Sequence, residues 1–244
     1  MIMGSGSSSR EEAAAVPSLM VEIMGPAGAG KTTLIRSLCS QDERIRAGLD
    51  LRKAAYVRPA LKRLGEFLPV WALHEHRDRW LDRREMRSVA RLETWSRALE
   101  RQTPTQGSVA LFDHGPLYRL ARLREFGPAL TESEAFARWW SGSLARWLRS
   151  LDLVVMLEAP DAVLLQRIDA RGHWFLSGDH AREEKEEFLA RYRRAFSEIL
   201  EATDAPTVLR FRTDETSVGK IAAEVQTQIW TMRSMGDGKE RSRR

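Results

Sequence analysis

The chain has 244 residues, of which 43% are hydrophobic and 30% charged, so it can bury one sizeable core. A single cysteine, Cys39, excludes an internal disulfide framework, and no apolar run is long enough for a membrane span, so we expect a cytoplasmic protein without a membrane partner. The net charge is +5, and most of the basic residues are arginines, which suit phosphate-bearing ligands. These basic residues are dispersed along the chain rather than clustered in a stripe, which makes nucleic acid an unlikely partner.

Both ends of the chain differ in composition from the middle. Residues 1–17 are rich in Gly, Ser, Glu and Ala, and residues 234–244 are polar and basic. Segments of this kind bury too little apolar surface to fold, so both are expected to be disordered. The sequence therefore predicts one folded domain over residues 18–233.

Short apolar segments alternate with helical patterns along this domain. The predicted strands are 19–24, 53–57, 108–112, 153–157 and 207–211. The predicted helices are 33–47, 60–68, 79–101, 131–150, 160–171, 183–203 and 216–232. Alternation with short loops predicts an α/β fold, a three-layer α/β/α sandwich with a central parallel sheet.

The helix predicted over 131–150 carries two further expectations. Thr131 and Glu134 have the spacing of a capping box at its start. Its apolar face is rich in tryptophan, which is typical either of a buried core or of an interface. The sequence leaves open whether this face belongs to the core or to a homodimer.

A phosphate-binding motif lies between the first predicted strand and the first predicted helix. Residues 25–33, GPAGAGKTT, fit the pattern G-x-x-x-x-G-K-[ST]. Glycines let backbone N–H groups turn inward around a phosphate, and the helix N-terminus adds its positive dipole end. We expect Lys31 on the β- and γ-phosphates of a nucleotide and the Thr32 hydroxyl on Mg²⁺. The predicted phosphate-binding residues are Gly25, Ala27, Gly28, Ala29, Gly30, Lys31, Thr32 and Thr33.

Residues that directly follow a strand are further site candidates, because open parallel sheets bind ligands at the carboxyl ends of their strands. Asp113 follows the strand 108–112 and is expected to hold Mg²⁺ or to accept a proton, the alternative being a cap for the next helix. The neighbouring His114 is either a substrate contact or an exposed loop residue. Arg167 and Arg171 stand four residues apart on one helix face, where they either face a nucleotide or complement the helix dipole.

Two polar segments are candidates for the closure and the acceptor side of the site. Residues 172–187 are predicted to form a small helical lid that excludes water from the transferring group. The lid-side candidates are Arg182, Arg191, Arg193 and Arg194. The segment 74–79 contains His74 and His76, but their spacing does not suit a metal site, and it is more consistent with a helix entry that lines an acceptor pocket with Arg77 and Arg79.

Four segments, 25–33, 110–118, 152–172 and 207–216, together resemble the nucleoside and nucleoside-monophosphate kinase group of P-loop proteins, especially its thymidylate-kinase-like branch. The resemblance implies the P-loop NTPase fold, with Arg167 near adenine, Arg171 on phosphate, and Thr213 and Asp214 beside the base. This chain departs from the group at His114, because those kinases commonly carry an arginine there that helps to hold the acceptor. No acceptor-side carboxylate can be placed after the second strand.

The sequence thus predicts a phosphotransferase that uses ATP and Mg²⁺ and moves the γ-phosphoryl group to a nucleoside or a nucleoside monophosphate. Its predicted catalytic residues are Lys31, Asp113 and Arg171, and Thr32 and Asp113 are the predicted metal ligands. One alternative is a kinase of a non-nucleotide metabolite such as a sugar, a cofactor precursor or an antibiotic. The other is a P-loop ATPase or GTPase switch, against which stands the lack of an Asn-Lys-x-Asp segment for guanine.

Overall fold

A five-stranded sheet organises the chain, which a computed structural model describes over residues 16–49, 57–73, 79–101, 104–171, 182–201 and 206–241. The strand order is β2-β3-β1-β4-β5, and all neighbouring strands are parallel. The strands are β1 (Val16–Met24), β2 (Ile45–Ala47), β3 (Pro104–Asp113), β4 (Leu153–Glu158) and β5 (Thr207–Arg212). Because β3 and β4 add to opposite sides of β1, the carboxyl end of β1 is the point where the chain direction across the sheet switches.

Helices cover both faces of the sheet. They are α1 (Lys31–Gln41), α2 (Val57–Leu73), α3 (Arg83–Arg101), α4 (Pro116–Phe126), α5 (Glu134–Ser150), α6 (Asp161–Ala170), α7 (Arg182–Leu200) and α8 (Val218–Arg241). Strand residues alternate between two separate cores, with Val21 and Ile23 facing one and Met20 and Met24 the other. The predicted three-layer sandwich with a central parallel sheet is therefore confirmed.

The second strand differs from its prediction. It is Ile45–Ala47, because the first helix ends at Gln41 rather than at residue 47. Ile45 is its buried residue and pairs with Val109, whereas its other two residues are exposed. A three-residue strand with one buried side chain has no periodicity to detect in the sequence. Most of the predicted strand 53–57 lies outside the described residues, and Val57 begins α2.

Several helix ends also differ from their predictions. The cap of α5 is Ser133, whose Oγ accepts from the N–H of Phe136, whereas Thr131 lies in a short 3₁₀ helix (Ala129–Glu132) and donates to the Pro128 carbonyl. The predicted capping box was wrong because Thr131 and Ser133 lie two residues apart and either could cap the helix. The 3₁₀ helix includes Thr131 and leaves Ser133 as the cap. The helix α4, which the sequence had not delimited, begins with Pro116 at its first position.

The boundaries of the folded domain extend further than expected at both ends. β1 begins at Val16, inside the segment expected to be disordered, where it pairs with β3. α8 continues to Arg241, through most of the tail for which disorder was expected. Methionine, glutamate, lysine and arginine favour helix in this tail, and a glycine in a helix interior costs only about 1 kcal/mol.

The tryptophan-rich face of α5 is part of the core. Trp147 is fully buried, and Trp139 and Trp140 are each 8% exposed. The ring of Trp139 lies edge-on to Phe67 of α2 at 5.6 Å between centroids. This face is therefore not a dimer surface, and a homodimer stays a prediction.

A buried glutamate in the central strand holds the start of α4. The carboxylate of Glu22 accepts hydrogen bonds of 2.9 Å from the backbone N–H groups of Leu117 and Tyr118, in the first turn of that helix. Burial raises the pKa of Glu22 from 4.5 to about 7, although the two hydrogen bonds and the positive charge of Arg119 act to lower it. Glu22 thus fixes the loop between β3 and α4, since that loop cannot move without breaking these bonds.

None of the helices in the described ranges has both the length and the hydropathy to cross a bilayer.

We expect Glu22 to make stability depend on pH. Because its pKa is higher in the folded chain than in the unfolded chain, the folded state holds the proton more tightly between pH 4.5 and 7. The free energy of unfolding should therefore fall by about 3 kcal/mol as pH rises across this window, relative to Glu22→Gln, which has no proton to lose there. Urea titrations of both proteins at several pH values measure this difference, and parallel profiles would contradict it.

A second prediction concerns Gly115, which packs against Glu22. An added Cβ there would lie 2.6 Å from the Glu22 carboxyl carbon and 2.6 Å from the Phe112 Cβ. We expect Gly115→Ala to lower the free energy of unfolding by about 1–3 kcal/mol because of this overpacking. The control is Gly142→Ala in the middle of α5, where nothing lies within 4 Å of the new Cβ and alanine should be neutral or stabilising. Equal thermal shifts for the two variants would refute the tight contact.

Candidate active site

The phosphate loop joins the carboxyl end of β1 to the first turn of α1. Gly25 has φ 144°, and a Cβ there would lie 2.4 Å from the Leu157 carbonyl oxygen. Gly28 has φ 81°, and its Cβ would lie 2.8 Å from the Leu164 carbonyl oxygen. The loop is therefore pressed against β4 and α6, and neither position tolerates a side chain. Its cap residue, Gly30, offers no side chain to α1, so the first-turn N–H groups are available to an anion.

Lys31 lies across the mouth of this loop. Its buried ammonium donates hydrogen bonds of 2.8 Å to the carbonyl oxygens of Gly25 and Pro26. Burial lowers the pKa of Lys31 to about 8, since the favourable charge of Asp113 does not offset the desolvation. A cation with so little water around it interacts strongly with any anion that enters the loop.

Asp113 and Thr32 meet at the edge of the loop. The hydroxyl of Thr32 donates to Oδ2 of Asp113 at 2.8 Å, and Nδ1 of His114 lies 3.1 Å from Oδ1. Burial alone would raise the pKa of Asp113, but the contact with His114, the Thr32 hydroxyl and the charge of Lys31 hold it at about 2. The carboxylate therefore keeps its charge throughout the neutral range, which suits a ligand of a cation.

These two side chains also fit the magnesium ion that the motif implies. In P-loop proteins Mg²⁺ takes a Ser or Thr hydroxyl, an Asp carboxylate, phosphate oxygens and waters. The 2.8 Å contact brings that hydroxyl and that carboxylate together. Among the described residues, no group of three or more His, Cys, Asp or Glu could hold a metal ion without such outside ligands.

His114 has an unusual backbone. Its φ of 53° makes it the one non-glycine residue with positive φ among those the structure describes. Its ring lies edge-on to that of Tyr118, 4.4 Å between centroids, and its side chain is 47% exposed. Such left-handed conformations cost energy and occur often at functional sites. His114 therefore stands beside Asp113 in an exposed position, and its contact with a substrate stays a prediction.

One cavity, of about 180 Å³, opens beside the phosphate loop. Arg167 closes one side by donating to both the hydroxyl and the carbonyl oxygen of Thr213, each at 2.9 Å. Arg171 ends α6 and also lines this cavity. The predicted residues that the structure brings together here are Gly28, Ala29, Gly30, Thr33, Arg167, Arg171 and Thr213.

Other predicted residues lie elsewhere. Asp214 is not among the residues that line the cavity, and its carboxylate accepts hydrogen bonds from the guanidinium of Arg212. Among the lid-side candidates, Arg191 donates to the Glu125 carbonyl and Arg193 pairs with Asp161, so both tie α7 to neighbouring helices. The lid segment 172–181 and the segment 74–78 lie outside the described residues.

A second cavity, of about 580 Å³, is lined by residues of α3, α4 and α7 and by two residues just before α3. Tyr118 links the two regions, since its ring lines this cavity and its centroid is 5.9 Å from the Lys31 ammonium. Arg79, which the sequence had suggested for an acceptor pocket, lines this cavity. Tyr118 and Arg122 line it too, and sequence reasoning missed both. The only signal was their spacing of four residues after the Gly-Pro turn, which places them on one face of α4.

The phosphate loop therefore lines the smaller cavity, and the larger cavity is connected to it through Tyr118, whose ring centroid lies 5.9 Å from the buried Lys31 ammonium. This arrangement can bind the phosphates of a nucleotide on one side and present them to a second molecule on the other.

Comparison with known proteins is consistent with this geometry. The model of the AAA domain family matches residues 20–199. The structure is similar to deoxyadenosine kinase from M. mycoides, with a TM-score of 0.50 and 15% identity over 88% of this chain and 100% of that chain. It is also similar to thymidylate kinase from Candida albicans, with a TM-score of 0.51 and 18% identity over 90% of this chain and 92% of that one.

No curated protein sequence matches the chain. At these identities the two kinases share its fold, which confirms the expected P-loop NTPase fold. Because the family model spans most of the chain, from β1 to α7, the protein belongs to the AAA domain family.

Proposed function

We propose that the protein is a kinase that transfers the γ-phosphoryl group of ATP, with Mg²⁺, to a small acceptor, either a nucleoside or a nucleoside monophosphate. The observation that carries the proposal is the meeting of Lys31, Thr32 and Asp113 at the phosphate loop, together with Tyr118, which connects Lys31 to a second, larger cavity. A switch ATPase needs only a nucleotide site, whereas a transferase needs a second site beside it. The two kinases with similar folds support the same choice.

The nucleotide occupies the loop and the smaller cavity in this proposal. Backbone N–H groups at the start of α1 hold its phosphates, and Arg167 and Thr213 lie on the side of its base. Thr32 and Asp113 hold the metal ion, which neutralises charge on the phosphate oxygens when bound.

Lys31 and Arg171 stabilise the charge of the transferring group. The protein forms no covalent bond to the phosphoryl group during direct transfer. Positioning and electrostatic stabilisation therefore account for most of the rate enhancement. Lys31 suits this role because it is buried and already points into the loop. The acceptor enters through the larger cavity, past Tyr118. The segment 172–187 serves as the lid that keeps water away, so that ATP is not wasted by hydrolysis.

Removing the Lys31 ammonium should abolish transfer. We expect Lys31→Ala to lower kcat by about 100-fold or more, because the transition state loses a buried charge aimed at it. The measurement is ADP release over a panel of nucleosides, nucleoside monophosphates, sugars and aminoglycosides. Lys220→Ala, at the exposed start of α8, is the matched control and should keep full activity. Near-normal turnover by Lys31→Ala, or hydrolysis that no acceptor stimulates, would refute the proposal.

Asp113 should govern the requirement for magnesium. We expect Asp113→Asn to raise the Mg²⁺ concentration for half-maximal activity by about 10- to 100-fold, because the amide keeps the shape of the side chain but loses the charge. The same change at Asp169, an exposed residue of α6 that pairs with Lys185, is the control. Identical magnesium titrations for the native chain and Asp113→Asn would remove Asp113 from the metal site.

A further inference from the structure

The larger cavity carries an excess of positive charge. Four arginines and two carboxylates line it, together with Tyr118, Tyr192 and two phenylalanines. Both carboxylates already have partners. Glu85 is buried and accepts from two guanidinium nitrogens of Arg79 at 2.7 and 2.8 Å. Asp82 accepts from two backbone N–H groups in the first turn of α3. Asp82 also interacts electrostatically with Arg122, but two carboxylates do not neutralise four arginines, and the lining keeps a net positive charge.

Arg122 is the one arginine of this lining that lies on α4, the helix that follows the Asp113 loop. It is half-buried and lies one helical turn after Tyr118, so the two side chains share a face of α4. Within the described part of the chain it has no salt bridge, in contrast to Arg79. Arg83, at the exposed start of α3, likewise pairs with no described carboxylate. Arg122 thus has only a longer-range interaction with Asp82, and its half-buried guanidinium can still form a hydrogen-bonded pair with an added anion.

Aromatic rings form another wall of the same cavity. Phe126 and Phe188 are half-buried, and their ring centroids lie 5.1 Å apart. Behind them Tyr192 is stacked on Tyr118 at 5.3 Å with an interplanar angle of 13°. Because Phe126 and Phe188 are not fully enclosed, part of their surface faces the cavity, where a planar ring can pack on it.

Resting on the proposed function, we infer that the acceptor is an anion that carries a planar ring, a nucleoside monophosphate rather than a nucleoside, and that Arg122 binds its phosphate. An oxygen of that phosphate bonds to the γ-phosphorus while the bond from the γ-phosphorus to the β–γ bridging oxygen breaks. ADP leaves with the electron pair. A phosphate monoester is mostly ionised at neutral pH, so no proton has to be removed from the attacking oxygen.

The test compares nucleosides with their own 5′-monophosphates, using the full chain with Mg²⁺·ATP. We expect kcat/KM for at least one monophosphate to exceed that of its nucleoside by about 100-fold. Arg122→Gln should lower kcat/KM for that monophosphate by about 10- to 100-fold, mainly through KM, and should lower that of its nucleoside by much less, because the nucleoside has no phosphate for Arg122 to bind. Arg124→Gln, two residues along α4 at a surface pair with Glu198, is the matched control and should have no effect.

Calorimetry with Mg²⁺·ATP separates failure of this inference from failure of the proposed function. If the native chain does not bind ATP, both the proposed function and this inference are overturned. If ATP binds and nucleosides are phosphorylated as well as their monophosphates, or if Arg122→Gln leaves monophosphate turnover unchanged, the inference is overturned and the kinase stands. Should Arg122→Gln lose ATP binding, Arg83→Gln replaces it, because that exposed residue can be changed without disturbing the core. A monophosphate-selective loss there supports the anionic acceptor, and unchanged turnover overturns it.

Discussion

The parallel pairing of β1 with β3 is the constraint on which the site depends. Their register sets Ile23 beside Asp113, so the phosphate loop and the Asp113 loop leave the sheet at the same edge. That placement brings the Thr32 hydroxyl to 2.8 Å from a carboxylate 81 residues further along the chain. Glu22, in the same strand, adds the second attachment by accepting the first N–H groups of α4. One strand therefore positions the loop, the two side chains proposed as metal ligands and the helix that lines the larger cavity.

Burial gives this junction its electrostatic character. Lys31 and Glu22 are both withdrawn from water, which pushes the pKa of the lysine down and that of the glutamate up. Asp113 is partly buried as well, but His114, the Thr32 hydroxyl and the Lys31 cation lie beside it and lower its pKa, so it keeps its charge. The charges that face a nucleotide are thus fixed in place before it binds, and little reorganisation is needed during the reaction.

The features that could be predicted from the sequence are local ones. The residues 25–33 and the strand that precedes them lie within fifteen residues, so the motif itself indicated the loop, Lys31 and Thr32. Asp113 and Arg167 could be inferred because each belongs to a strand or helix with a clear apolar pattern. The strand β2 was missed because a short edge strand has almost no hydrophobic pattern. The capping role of Ser133 was missed because it depends on the 3₁₀ helix that precedes it. Glu22 depends on a contact with a residue 95 positions further along the chain, and the role of Arg122 depends on a cavity lined from three separate segments, so the local pattern contains little signal of either.

The central claim is that the backbone of the phosphate loop binds the terminal phosphates of a nucleoside triphosphate. Isothermal titration of the purified chain with ATP in the presence of magnesium tests it most directly. The structure predicts saturable binding of one nucleotide per chain, with an affinity that falls when magnesium is removed. Absence of any heat of binding with ATP or another nucleoside triphosphate would contradict it.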